Sequence, residues 1–308
     1  MLKPRALRPG DRVALVAPGS PFEREEFDRG LDELRALGFE PSYDERVFAR
    51  HGYTAGNADL RAAAFMDAWC DPTVAAVMAV RGGYGSVHLL PLVAPDVIRS
   101  HPKIFVGYSD TTSLLTFLTQ RCGLVAIHGP MIDRRIARGP ERYERDSFLA
   151  CVTRPEPMGE IALHGLVPLR DGEAVGRLTG GTLTQLTASL GTPYAFDPPP
   201  GSVLFLEDVA ERPYRIDRMV TQLRLAGVLD RARAIIWGQM PGCDEPSGTP
   251  TVREVISELC HGFNGPVVFG FPSGHSVTPS MTLPFGVNVR VIAGQRTMII
   301  IEEAAVRA

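Results

Sequence analysis

Short, wholly apolar runs alternate along the chain with longer stretches in which apolar residues recur every three or four positions. The first run, VALVAP (13–18), is followed by Ser20-Pro21 and a helical stripe of Phe27, Leu31, Leu34 and Leu37 that stops at Gly38. Phe65, Met66 and Trp69 supply the apolar face of a second helix near Leu60 to Cys70. VAAVMAV (74–80) reads as a strand covered on both faces, and KIFVG (103–107) runs straight into the helical pattern TSLLTFLTQR. Strand and helix patterns alternate to about residue 150, which predicts a parallel sheet with helices on both faces. The pattern then breaks into TRPEPMGEIALHGLVPLRDGE, around 153–173. Beyond it, strands are predicted at 202–207, 232–238, 266–270, 284–293 and 296–302, with helices near 182–190, 213–227 and 251–261. The chain therefore reads as two α/β domains, 1–155 and 170–308, joined by a linker at 156–169.

Two strand ends of the first half carry chemistry. Gly107-Tyr108-Ser109-Asp110-Thr111 places a serine at a strand-to-helix turn, beside the unpaired N–H groups of a helix start. A nucleophile and the oxyanion it creates are both served there, although Ser109 taken alone reads first as a helix N-cap. VAAVMAV runs into Arg81-Gly82-Gly83-Tyr84-Gly85-Ser86. The carboxyl ends of strands line the ligand crevice of open α/β sheets, so the two loops are expected to face each other. The N–H of Gly82 or Gly83 would then join that of Asp110 as an oxyanion donor, since backbone without a Cβ approaches a ligand closely. A phosphate cradle or a plain turn is the other reading of this glycine cluster.

A nucleophilic serine needs a base, and the base needs an orienting acid. Of seven histidines, His51, His88, His101, His164 and His261 lie in polar or loop-like stretches. His128 ends the apolar stretch GLVAIHGP and is expected to face the crevice. His275 is the better candidate, because Gly270, Pro272 and Gly274 mark a loop at the carboxyl end of the strand pattern PVVFGF. SVLFL (202–206) terminates in Glu207-Asp208, and a carboxylate at the end of a buried strand demands a partner. Ser109, Glu207 and His275 thus form the candidate triad.

Composition narrows the setting. Net charge is −3, with 32 basic residues scattered among 35 acidic ones, so neither nucleic acid nor an anionic membrane surface is indicated as a partner. Five cysteines, odd in number and without a C-x-x-C pair, point to reduced thiols in the cytoplasm. No long apolar segment suggests export or a membrane span. There is no H-E-x-x-H and no clustered Cys/His set, so no metal or other cofactor is expected.

The segments VALVAPGSP, AVRGGYGS, KIFVGYSDTTSLL, HGPM, GRLTGGTLTQLTASLGTPY, LFLEDVAERPYRIDRM and GFPSGHS together resemble the LD-carboxypeptidases, or muramoyltetrapeptide carboxypeptidases, from about Gly10 to Ile301. The resemblance implies a flavodoxin-like amino-terminal domain, a β-rich mixed α/β carboxy-terminal domain, a metal-free serine mechanism and a homodimer. It places the family's serine, glutamate and histidine on Ser109, Glu207 and His275, and its oxyanion donors on Asp110 and the Gly82-Gly83 turn. The implied activity is removal of the terminal D-alanine from murein tetrapeptides in cytoplasmic peptidoglycan recycling. A related branch contains self-immunity peptidases that cleave peptide-nucleotide antibiotics, but EDVAERPYRIDRM is more similar to the recycling branch. A non-catalytic flavodoxin-like binding module and an unrelated serine esterase or amidase are the readings left from other classes. A carboxypeptidase must also read a free carboxylate, for which Arg81 in the glycine loop is the first candidate and Arg212 and Arg215 the next.

Overall fold

The protein is described by a computed structural model that covers residues 1–161 and 163–308. Its first half contains β1 (Arg12–Val16), α1 (Arg24–Ala36), β2 (Glu40–Tyr43), α2 (Ala58–Cys70), β3 (Val74–Ala79), α3 (Pro95–Ser100), β4 (Ile104–Gly107), α4 (Thr112–Gln120), β5 (Ala126–His128) and α5 (Arg145–Thr153). There follow β6 (Gly159–Ile161), β7 (Val167–Arg170), β8 (Gly172–Thr182), α6 (Leu183–Ser189), β9 (Ser202–Glu207), α7 (Pro213–Leu225) and β10 (Ala232–Gly238). The last elements are α8 (Val252–Leu259), β11 (Val267–Phe271), β12 (Leu283–Phe285), β13 (Asn288–Ala293) and β14 (Met298–Ile301).

The fold is mixed α/β with two sheets. One has the order β12-β5-β4-β3-β1-β2, and the other β6-β14-β13-β8-β9-β10-β11-β7. Neighbours among β1 to β5 pair in parallel, as the alternation of strand and helix patterns predicts. The carboxyl ends of β3 and β4 are therefore adjacent, which brings the glycine loop to the serine turn.

Three features depart from the sequence reading. The single strand expected at 284–293 is two: β12 pairs antiparallel with β5, and β13 pairs with β8 in the other sheet. Gly286, at φ +100°, turns the chain between them, and a single glycine within a strand-like run does not reveal such a break. Residues 156–169, expected as a linker, supply β6 and most of β7, which pair with β14 and β11; Ala162 of that stretch lies outside the described residues. Finally, β8 has no counterpart in the predicted strands, because Gly172, Gly176, Gly180 and Gly181 read as loop. In the structure two of them allow close approach to β9 and the residue before it: a Cβ on Gly180 would lie 1.9 Å from the Phe205 carbonyl oxygen, and one on Gly176 2.1 Å from that of Gly201.

Along β9 alternate residues serve two cores. Val203 and Phe205 join an apolar cluster that includes Val77, Phe105 and Ile127 of the first sheet. Leu204 and Leu206 face a second cluster, with Leu186, Ile216, Leu223 and Ile256 of the helices α6, α7 and α8. The first cluster ties the two sheets together, and the candidate site lies where their strand ends meet.

Candidate active site

Ser109 follows β4 at φ +63°, in the left-handed region that a residue with a Cβ occupies at a cost. That backbone has the sharp, strained geometry of a strand-to-helix elbow and not that of an ordinary N-cap, whose φ is negative. The sharpness of the turn depends on Gly107, where a Cβ would lie 2.4 Å from Thr111 Oγ1.

The glycine loop does face the elbow. A Cβ on Gly82 would stand 3.2 Å from the Asp110 backbone nitrogen and 3.3 Å from Ser109 Oγ. Its carbonyl is occupied by the Ser20 N–H at 2.8 Å, whereas the N–H groups of Gly82 and Gly83 meet no acceptor among the described residues. The Asp110 side chain closes the arrangement from behind: its carboxylate accepts the N–H groups of Gly85 (3.1 Å) and Ser86 (2.9 Å). Arg61, buried, donates to the Gly85 carbonyl at 2.8 Å and to the Pro18 carbonyl. Elbow and loop are thus one hydrogen-bonded unit.

Glu207, at 1 % exposure, is held at the carboxyl end of β9. Its Oε2 accepts from the His275 backbone N–H at 2.9 Å and lies 2.8 Å from His275 Nδ1. Its Oε1 accepts from the Thr182 hydroxyl. Gly274 allows this close fit, since a Cβ there would fall 2.7 Å from Glu207 Cδ. Burial pushes the Glu207 carboxyl up, but His275 and the hydrogen bonds outweigh it and hold it down at about 2. The reciprocal effect raises His275: burial pulls the imidazole down, and the Glu207 charge carries it above its usual value. With Nδ1 engaged by a carboxylate, Nε2 is the nitrogen left for proton transfer.

Ser109 and His275 line one cleft of about 460 Å³, which also takes in Gly82, Gly83 and Tyr108. The Tyr108 ring packs edge-on to His275, with centroids 5.1 Å apart. Arg135, also lining the cleft, donates to the Gly274 and Ser276 carbonyls at 2.7 and 3.1 Å and so braces the His275 loop on both sides. His128 is elsewhere. It is fully buried, with Nδ1 3.1 Å from Ser273 Oγ and its ring stacked on Phe285, and burial lowers its pKa to about 4. It is therefore a neutral core residue and does not line the crevice, contrary to the expectation for that strand end.

Among the arginines singled out, Arg81 lines the cleft. Arg212 and Arg215, at the start of α7, do not; they pair with Glu245 of the β10–α8 loop and with Glu211. Sequence reasoning missed Thr182, the Asp110 side chain, Arg61 and Arg135. Thr182 lies in the quoted segment GRLTGGTLTQL, which was a usable signal; Arg135 had none, because only packing brings it to residues some 140 positions away.

Residues 13–129 match the description "LD-carboxypeptidase N-terminal domain", and residues 175–291 match "LD-carboxypeptidase C-terminal domain". A relative from Bacillus subtilis (strain 168), named "Probable murein peptide carboxypeptidase", is 35% identical over 97% of this chain and 94% of its own length. The crystal structure of muramoyltetrapeptide carboxypeptidase from Oxalobacter formigenes superposes with a TM-score of 0.83 at 29% identity, covering 96% of this chain and all of that one. Microcin C7 self immunity protein MccF in complex with aspartyl sulfamoyl adenosine superposes at 0.92 with 26% identity, over 99% of this chain and all of that one. Matched in both halves and along nearly its whole length, with a serine elbow facing a Glu-His pair, the chain belongs to the LD-carboxypeptidase family of serine peptidases.

Proposed function

We propose that the protein is a serine carboxypeptidase that hydrolyses the L,D-peptide bond before the terminal D-alanine of cytoplasmic murein tetrapeptides, with Ser109, His275 and Glu207 as its triad. The observation that carries this reading is Ser109, at φ +63°, sharing a cleft with a histidine whose Nδ1 is held by a buried carboxylate. Ser109 Oγ attacks the scissile carbonyl while His275 Nε2 takes its proton. The oxyanion is received by the N–H of Asp110 and those of Gly82 and Gly83. His275 returns the proton to the departing amine of D-alanine, and Glu207 stabilises the imidazolium throughout. Water, activated by the same histidine, then cleaves the acyl-enzyme to leave a tripeptide and free Ser109. In this reading the nucleophile comes from the unit 1–155 and its partners from 170–308, and the working form is a homodimer.

D-alanine release from a murein tetrapeptide is the decisive assay. Ser109→Ala should reduce it by about a millionfold while leaving the fold intact, because only the oxyanion donors and binding remain. Turnover near the parent level would remove Ser109 from the mechanism. Likeness to a self-immunity protein with aspartyl sulfamoyl adenosine bound supports a second reading, cleavage of an aminoacyl-nucleotide amide. Hydrolysis of aspartyl sulfamoyl adenosine without D-alanine release would favour it. Sedimentation at micromolar concentration tests the dimer.

A further inference from the structure

We propose that Arg142 receives the carboxylate of the leaving residue and so makes the cleft selective for substrates that end in a free acid. The inference rests on the carboxypeptidase reading above and names the residue that would enforce it. Arg81, Arg134, Arg135 and Arg142 line the cleft, against Asp133 as the one acidic lining residue described, so its wall is strongly positive.

Three of these arginines are already engaged. Arg81 Nε is 3.4 Å from Asp133, and its Nη1 donates to the Pro21 carbonyl at 2.9 Å. Arg134 Nε lies 3.7 Å from the same carboxylate. Arg135 spends Nη2 on the Gly274 and Ser276 carbonyls and Nη1 on that of Arg142. Arg142 differs from all three. Among the described residues its guanidinium has neither an ion-pair partner nor a hydrogen bond: Nε is buried without an acceptor, while Nη1 and Nη2 keep some exposure in a half-buried side chain that lines the cleft. A cation already partly stripped of water, with its outer donors unpaired, gains more from an incoming anion than a fully solvated one does. A ligand carboxylate is the acceptor that fits a planar guanidinium fork.

Its position agrees with this role. His275 returns the proton to the leaving amine, so the leaving residue lies on the His275 side of Ser109, away from the Gly82-Gly83 donors. Arg142 belongs to that side: a single guanidinium, that of Arg135, joins its carbonyl to the carbonyls flanking His275, and the same Arg142 carbonyl accepts the Ser280 N–H at 3.2 Å. Arg81 opens the oxyanion loop instead, and Asp133 already faces it.

The test compares a murein tetrapeptide ending in D-alanine with its carboxy-terminal amide, measuring kcat/KM for both in the parent and in Arg142→Gln. The parent should prefer the acid. In Arg142→Gln the loss on the acid should exceed the loss on the amide by about a hundredfold, because a charge-assisted, bidentate contact is made to the acid alone. The structural bonds from Arg135 and Ser280 go to the Arg142 backbone and survive the substitution. Should the variant nevertheless lose its thermal midpoint, Arg142→Lys keeps the charge, removes the planar fork, and should show the same narrowing of the acid-to-amide ratio in smaller measure. A ratio unchanged from the parent in the folded variant overturns the assignment. A parent that cleaves acid and amide equally also overturns it, while leaving serine hydrolysis standing. A parent that cleaves neither removes the carboxypeptidase reading and this inference together.

Discussion

His275 is subject to two opposed influences: burial draws its pKa down, and the Glu207 carboxylate 2.8 Å from Nδ1 draws it up and prevails over the usual 6.5. In the proposed mechanism His275 is the general base and works neutral, so kcat/KM should rise with pH through a midpoint above 6.5. Glu207→Gln removes the charge responsible. The acidic limb should then move to lower pH, and the maximal rate should fall by about 10⁴-fold. A limb that stays in place in the variant would mean that another group sets it. The same pair makes a linkage prediction. Glu207, held at about 2 against an ordinary 4.5, contributes stability above pH 4.5 that is lost as pH falls toward 2. His275, raised above 6.5, contributes stability below that pH and loses it as pH rises through the folded value. Urea midpoints of parent and Glu207→Gln should therefore differ most between about pH 4.5 and 6.5, and a difference independent of pH would contradict the coupling.

At the scale of elements, β8 decides whether the two sheets bring their strand ends together. Its last residues pair with β9 from Leu178↔Val203 to Thr182↔Glu207, and the Thr182 N–H donates to Thr112 Oγ1 at 3.1 Å, at the start of the helix that follows Ser109. Gly180 and Gly181, at φ +136° and +131°, permit that contact, and a Cβ on Gly181 would lie 2.6 Å from Thr112 Cγ2. Gly180→Ala combines strained backbone with a collision against the Phe205 carbonyl and should cost more than about 2 kcal/mol. Gly191→Ala, at φ +79° with open space around it, should cost only about 1–2 kcal/mol of backbone strain. Urea denaturation of the two variants checks the ranking; equal losses would mean that backbone strain alone matters at both positions. Sequence pattern missed β8 because glycine removes the apolar alternation by which a strand is recognised.

At the scale of the whole molecule, one apolar cluster crosses from sheet to sheet. Phe205 sits within it, with ring centroids 5.2 Å from His128, 6.1 Å from Phe271 and 6.5 Å from Phe285. A core shared in this way couples the two sheets, so calorimetry should record a single cooperative transition. Phe205→Ala should lower stability by about 3–5 kcal/mol and reduce activity with it, because the residue supports β9 just before Glu207. Two separable transitions, one for each sheet, would show that the shared cluster contributes little.

The alternation of strands and helices in the first half, and the strands and helices from β9 to β11 in the second, were legible in the sequence because periodicity is local: it follows from backbone geometry over a few residues. The same reasoning marked Ser109, Glu207 and His275, since each lies at or just beyond the carboxyl end of an apolar strand and such ends collect on one edge of a sheet. The break at Gly286 was hidden, because strand-like residues continue on both sides of it and which sheet receives β12 or β13 is decided only by packing. The brace from Arg135 and the open guanidinium of Arg142 were hidden for a related reason. Arginine is spread along the whole chain, and whether a given guanidinium finds an acid is a matter of a few ångströms between residues far apart in sequence. Arg81 meets Asp133 across 52 positions and Arg142 meets no acid among the described residues, a distinction made only when the chain has packed.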